Sequence, residues 1–150
     1  MKFEKFFKAT GTHGMIVKRS EAESWLVCDG VGMVIPRGVN NLGINCEPKP
    51  LFKAIVNSNS EDDILTLKEA ILKDPEGKAR DIIRVFETEL GDRIGIYNSA
   101  YGLIERKDQL TYLEIETEDE NDPEKVKVFK FMVVRDRNNE TIGYIAGCEI

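Results

Sequence analysis

The 150-residue sequence is poor in the side chains that most often carry chemistry, with one histidine, one tryptophan and three cysteines. The cysteines Cys28, Cys46 and Cys148 are odd in number and lack C-x-x-C spacing, which argues against a disulfide framework and a zinc ribbon. One histidine without clustered cysteines supplies too few ligands for a transition-metal centre. We therefore expect reduced thiols, a cytoplasmic location, no metal and no cofactor.

Long apolar runs are absent as well. No segment approaches the about 18 consecutive apolar residues that span a bilayer. The first ten residues, MKFEKFFKAT, interleave charges with phenylalanines, which is unlike a secretion signal. The sequence therefore predicts neither a membrane anchor nor export.

Positive charge is in deficit, since 21 lysines and arginines face 27 acidic residues, for a net charge of -6. Such a charge repels phosphate backbones, so direct binding of nucleic acid by the whole molecule is disfavoured. The deficit is uneven. Residues 1–60 hold 8 basic and 5 acidic residues, whereas residues 61–150 hold 13 basic and 22 acidic ones. The second part is either a surface for basic partners or a soluble exterior.

The length and the 41% hydrophobic content favour a single domain, residues 1–150, of the α+β class. Phe3, Phe6 and Phe7 have helical spacing, which predicts a short N-terminal helix over residues 2–9. Two β-rich runs, SWLVC and VGMVIP, flank the dipeptide Asp29-Gly30, which favours a tight type I′ hairpin turn. A small β-hairpin or meander should follow the helix.

Residues 36–50, PRGVNNLGINCEPKP, contain three prolines, two glycines and three asparagines. They predict a long loop, and long loops often have a functional role. Arg37, Asn40 and Asn41 are therefore candidate partner-binding residues. The following segment, LFKAIVN, predicts a short helix over residues 51–57.

Residues 61–90 favour a helical pair. Ser60 and Asp63 resemble a capping box before an apolar stripe that runs to about residue 73. A second helix is expected from Asp74 and Pro75 up to Gly91. The competing interpretation makes both segments strands, joined by PEGK.

From Arg93 onward the apolar residues recur with a period of two, which predicts a C-terminal antiparallel meander. Its expected strands are RIGIY, YGLIERK, LTYLEIE, VKVFKFMVV and TIGYIAGCEI.

The acidic segment, residues 114–124, places seven carboxylates in eleven positions between two of these strands, at 113–116 and 126–129. A calcium loop would need a glycine at its bend, but this segment has none and contains Pro123. The remaining alternatives are a solvated hairpin tip and an acidic surface that mimics the phosphates of a nucleic acid. The candidate partner-binding residues are Glu116, Glu118, Asp119, Glu120, Asp122 and Glu124.

Catalysis finds little support in the sequence. His13, in TGTHG, would need a thiol such as that of Cys28 at its ring, and no motif flanks either residue. Neither glycine-containing stretch near the N-terminus matches a phosphate-binding motif. We therefore assign no catalytic residue and expect a protein that is not an enzyme; an enzyme that uses His13 is the least favoured alternative.

Residues 3–10, FEKFFKAT, and 24–36, SWLVCDGVGMVIP, resemble the opening of a DNA sliding-clamp domain, in which a helix precedes strands and a D-G turn. This resemblance implies a DNA-metabolism accessory protein that acts as an oligomer. The whole chain is similar in character to small accessory proteins of bacteriophages and mobile elements, which commonly bind and block a macromolecule.

Our first hypothesis is a non-enzymatic binding protein of that accessory type, which would act in the host cytoplasm if phage-encoded. Its partner would be a protein, such as a basic nucleic-acid-binding protein that it inhibits. A homodimer through an exposed strand edge is a further expectation. The clamp-like oligomer is the alternative.

Overall fold

The computed structural model describes residues 1–10, 13–39, 44–58, 63–72, 82–119, 121–148 and 150. Within these residues the chain forms short helices, a large sheet and a small sheet, which confirms a mixed α and β fold. No helix in the described ranges has the length and apolar character needed to cross a membrane. The elements are α1 Phe3–Thr10, β1 Met15–Lys18, β2 Ser24–Cys28, β3 Val31–Val34, β4 Ile44–Cys46, α2 Pro50–Val56, β5 Thr66–Leu72, β6 Ile82–Glu87, β7 Arg93–Tyr97, α3 Asn98–Tyr101, β8 Gln109–Asp119, β9 Asp122–Arg135 and β10 Thr141–Ala146.

The predicted N-terminal helix, the hairpin turn and the second short helix are confirmed, and each depends on residues close together in the sequence. Helix α1 begins at Phe3, and α2 begins at Pro50, a residue whose fixed φ suits the first helical turn. Asp29 and Gly30 both have positive φ, at 48° and 78°, which is the requirement of a type I′ turn. This turn joins β2 to β3 in antiparallel register.

The long loop predicted for residues 36–50 is only partly correct. Residues 44–46 form β4, which pairs in parallel with β1, and residue 50 already belongs to α2. Residues 40 and 41, two of the candidate binding residues, lie outside the described residues. The correction arises because β4 pairs with a strand nearly thirty residues earlier in the chain, beyond the reach of local composition.

The large sheet has the strand order β4-β1-β2-β3-β10-β9-β8 and is antiparallel except between β4 and β1. Its two faces pack against different elements. Phe131 and Val133 of β9 pack with α2, whereas Met132 and Val134 point to the opposite side, towards α1 and the small sheet. Alternate residues of one strand therefore stabilise two separate hydrophobic clusters.

The small sheet, β5-β6-β7, is joined to the large one at two corners. Ile64, just before β5, pairs with Thr111 of β8, and Cys148, just after β10, pairs with Gly95 of β7. Through these two bridges the order β5-β6-β7-β10-β9-β8 returns to its start. A ring of strands thus encloses the hydrophobic cluster that contains Met132 and Val134.

The helical pair predicted for residues 61–90 is wrong, because residues 66–72 and 82–87 are strands. The apolar stripe that suggested the first helix is not buried, since Ile64 is 58% and Leu67 43% exposed. Leu65, between them, is buried instead. Gly91, expected to end the second helix, lies in the turn between β6 and β7 with φ of 93°. Residues 73–81, which include the proposed connection, are outside the described residues.

The C-terminal meander is confirmed for β7, β8, β9 and β10, but YGLIERK is not a strand. Residues 98–101 form the short helix α3, and turns follow up to the start of β8. Ala100 and Leu103 are buried in the cluster that also holds Met132. The chain therefore forms a helical turn that buries these two side chains, instead of a strand with alternately buried residues.

Candidate functional site

The longest pairing in the structure, between β8 and β9, extends past the body of the protein. Strand β10 pairs with β9 only as far as Phe131. On the other side, the backbone contacts to β8 from residues 63–65 end where the amide of Tyr112 donates to the carbonyl of Asp63, at 2.7 Å. Residues 113–119 and 122–129 continue as a two-stranded ribbon, which we call the arm.

The carboxylates of the acidic segment lie mostly on strands, not in a loop. The predicted strands at 113–116 and 126–129 are confirmed, but β8 runs on to Asp119 and β9 starts at Asp122. Asp119 pairs with Asp122, so only two residues form the connection, of which Glu120 is outside the described residues. The connection between the two strands is therefore short, and strand geometry fixes the direction of the carboxylates at 114, 116 and 118.

One face of the arm combines charge with exposed apolar side chains. Glu114, Glu116 and Glu118 point to the same side, opposite Lys130, Val128 and Val126 of β9. The three glutamates are exposed, and Val126 and Val128 are 55% and 47% exposed. By the same alternation Glu124 shares this side with Val126. We call this side the acidic face.

The opposite side of the arm is apolar near its base. Leu113 and Ile115 are half-buried and pack against the α2 cluster, and Phe129, which pairs with Ile115, remains 39% exposed. These contacts hold the base of the arm on the body, while the acidic face remains open to solvent.

Asp122 has a local structural role, since its carboxylate accepts a hydrogen bond from the backbone amide of Glu124 at 3.1 Å. The glutamates of the acidic face stand two residues apart along one strand, which separates them by about 6.8 Å. In the described part of the chain no group of three or more acidic, cysteine or histidine side chains is arranged to hold a metal ion.

Arg37, the described member of the predicted loop site, lies in a different region. It follows β3 and lines a cavity of about 680 Å³ together with Lys18, Arg19 and Lys53. Strand β10 separates β3 from β9 in the sheet. The structure therefore does not bring Arg37 and the acidic residues into one site.

The thiol and the imidazole considered for catalysis are placed apart. Cys28 lines a cavity of about 590 Å³ between α1, α3 and the hairpin turn, whereas His13 is exposed and is not among the residues that line it. Burial, and the charge of Asp29 beside it, raise the pKa of the Cys28 thiol. A raised pKa disfavours the thiolate, which is the nucleophilic form.

Sequence reasoning missed the apolar part of the acidic face. Val126 and Val128 alternate with Lys125 and Lys127, which suggested a strand with one buried side. The sequence did contain a signal, because acidic residues extend well to both sides of the turn. A hairpin flanked by so many charges has no core to cover its valines, which predicts that they are exposed.

Known proteins give no guide to the function. No protein-family model, no curated protein and no solved structure matches this chain. The resemblance of residues 3–10 and 24–36 to a sliding-clamp domain therefore remains an expectation, and the function has to be argued from the geometry of the arm.

Proposed function

We propose that the protein is a non-enzymatic binding protein that presents the acidic face of its arm to a basic partner protein, and that the partner is one that binds nucleic acid. The single observation that carries the proposal is the alignment of Glu114, Glu116 and Glu118 on one side of a ribbon that extends beyond the sheet. In this role the protein competes with nucleic acid for its partner, as an accessory protein of phage or mobile-element type would.

The charge spacing supports this choice of partner. Alternate residues of an antiparallel strand are about 6.8 Å apart, and phosphates of one DNA strand advance about 3.4 Å each along the helix axis. Because the DNA strand also winds around that axis, neighbouring phosphates are farther apart than this advance, and the spacing of the glutamates is of the same order as theirs. A groove whose lysines and arginines are spaced for a nucleic-acid strand would meet complementary charges on this face.

The exposed valines support binding to a protein in particular. Val126 and Val128 lie beside the glutamates and are 55% and 47% exposed, so about half of each side chain is left uncovered in the free chain. Full burial of a valine stabilises by roughly 1.5–3 kcal/mol, so an apolar strip on the partner would add affinity to the charge contacts. Charge then gives the rate and orientation of association, and the valines slow dissociation.

The test is affinity capture from the source cell with the wild-type chain and with a Glu114→Gln, Glu116→Gln, Glu118→Gln variant. We expect a basic nucleic-acid-binding protein to be retained by the wild type, lost from the variant, and released by a competing nucleic acid. The matched control changes three exposed glutamates elsewhere, Glu4, Glu21 and Glu89, to glutamine. The control should retain the partner, because it loses the same charge at other places.

Equal retention by the wild type and the arm variant would contradict the proposal. So would a captured protein that is acidic, or one that nucleic acid does not displace. A second copy is the competing occupant of the arm, since among the described residues the last backbone hydrogen bonds from the body to its two strands are those at Tyr112 and Lys130. Light scattering of the purified chain over a range of concentrations distinguishes self-association from binding of a partner, because self-association raises the measured mass when no partner is present.

A further inference from the structure

The large sheet contains a buried arginine whose charge has no anionic partner among the residues that the structure describes. Arg135, at the end of β9, is only 3% exposed. Its guanidinium donates from Nη2 to the carbonyl of Ser58 at 2.7 Å and from Nη1 to the hydroxyl of Thr141 at 3.0 Å. Nη1 also makes a longer hydrogen bond, of 3.5 Å, to the carbonyl of Asn139, and within the described ranges Nε has no hydrogen-bond partner.

All of these acceptors are neutral. Among the described residues, no carboxylate lies within the 4.0 Å of an ion pair with Arg135. A buried charge is normally paired or bound to a counter-ion, because its desolvation is otherwise uncompensated. Within the part of the chain that the structure describes, this positive charge is therefore left for an incoming anion to neutralise.

A cavity is present where such an anion would bind. Arg135 lines a space of about 440 Å³ with Arg19, Asn57, Glu140 and Thr141. This space shares Arg19, Val56 and Asn57 with the 680 Å³ cavity that Lys18, Arg37 and Lys53 line. We call the two together the cationic groove. Of the side chains that the structure describes, five cationic ones line it, against two carboxylates, those of Glu23 and Glu140.

One of these carboxylates is already engaged. Glu23 accepts hydrogen bonds from Arg19 and from the indole nitrogen of the buried Trp25, both at 3.3 Å. Glu140 is exposed and lines the groove without an ion pair to Arg135. The groove therefore retains an excess of positive charge in a protein whose net charge is -6.

We propose that the cationic groove is a binding site for a small molecule that carries two or more phosphate groups. The volumes fit a compact ligand, since small-molecule sites usually span about 300–1,000 Å³. Arginine forks match the geometry of phosphate oxygens, and Arg19 and Arg135 line the inner space where one phosphate binds. Lys18, Arg37 and Lys53 lie along the adjoining space and bind the next one.

The experiment is isothermal titration calorimetry of the full chain with pyrophosphate, at constant ionic strength set with sodium chloride. We expect saturable binding to the wild type, and at least tenfold weaker binding to Arg19→Gln and to Arg135→Gln. Lys8→Gln, an exposed position on α1, is the matched control and should bind as the wild type does. Circular dichroism establishes whether Arg135→Gln folds; if it does not, Arg19→Gln and Glu140→Gln decide the result.

Glu140→Gln should change the affinity for pyrophosphate in the opposite direction. Removal of this carboxylate from the groove should tighten pyrophosphate binding several-fold, because one competing negative charge is lost. If the groove does not bind phosphate, this replacement leaves pyrophosphate affinity unchanged. That outcome overturns the proposal.

A second titration separates the proposal from an acidic protein ligand. A synthetic peptide of residues 113–130 carries the acidic strands of the arm. Pyrophosphate binding without peptide binding supports the small-molecule site. Peptide binding without pyrophosphate binding, or equal affinity of the wild type and Arg19→Gln for pyrophosphate, contradicts it.

Discussion

The two ends of the β8–β9 hairpin use the same kinds of residue for different purposes. At the base, Met132, Val133 and Val134 have no exposed surface, whereas in the arm Val126 and Val128 are about half exposed. The strand is continuous, so the difference lies in its neighbours. The base has β10 beside it and hydrophobic clusters on both faces, while the arm has one partner strand and an open acidic face. An apolar side chain therefore stabilises the fold at the base and is left for contacts in the arm.

Substitution at the two ends should separate them most clearly. Met132→Ala should lower the free energy of unfolding by about 2–5 kcal/mol, because it leaves a cavity in the enclosed cluster. Val128→Ala should change it by less than about 0.5 kcal/mol, as is usual for surface sites. Urea denaturation measures both. A loss at Val128 as large as that at Met132 would mean that the arm belongs to the core.

High pH should have the next largest effect, by destabilising the fold around the base of the β8–β9 hairpin. Tyr144 of β10 is 6% exposed and stacks on Trp25 with ring centroids 6.1 Å apart, and burial raises its pKa to about 12. Folding therefore favours the neutral phenol, and the stability it contributes is complete below pH 10 and is lost as the pH rises from about 10 to 12. For a shift of this size the loss is about 2–3 kcal/mol.

Tyr144→Phe should reduce this alkaline loss of stability, measured by denaturation at pH 8 and at pH 11–12. Burial also raises the pKa of Tyr112 to about 12, so part of the loss should remain. Tyr97→Phe, at a position that is 41% exposed, is the control and should leave the loss unchanged. An alkaline profile of Tyr144→Phe identical to that of the wild type would contradict the role assigned to burial.

The smallest effect on stability is expected from the acidic face itself. Among the described residues, its exposed glutamates make no hydrogen bond or ion pair. The free energy of unfolding of the Glu114→Gln, Glu116→Gln, Glu118→Gln variant should therefore lie within about 0.5 kcal/mol of that of the wild type. Thermal denaturation in low and high salt measures this directly. A large loss would assign these carboxylates to folding and remove the contrast between the two ends of the hairpin.

Local chemistry determined which elements could be predicted from sequence. Asp29 and Gly30 specify their turn by their own backbone preferences, and Pro50 marks the start of α2. The helix predicted for the segment that contains residues 66–72 was wrong because the apolar spacing there fits a helix as well as a strand. Pairing with β6 makes this segment a strand. Pairing of β3 with β10, more than one hundred residues later, has no local signal at all.

The candidate sites divide in the same way. The acidic face could be anticipated in part, because its carboxylates lie within one short segment of the sequence and only their strand geometry was missed. The cationic groove could not, since Lys18, Arg37, Lys53 and Arg135 come from distant segments that meet only in the folded sheet. Arg135 in particular lies among charged residues in the sequence, RDRNNE, and its burial depends on Ser58 and Thr141.

The most direct test of the role of the arm is the salt dependence of binding to the captured partner. Dissociation constants would be measured from low to high sodium chloride for the wild type and for the variant with glutamine at positions 114, 116 and 118. Our account predicts that the wild type weakens steeply with salt and that the variant binds more weakly and with a much shallower dependence, because the charges that salt screens have been removed. The same slope and affinity for both proteins would contradict it.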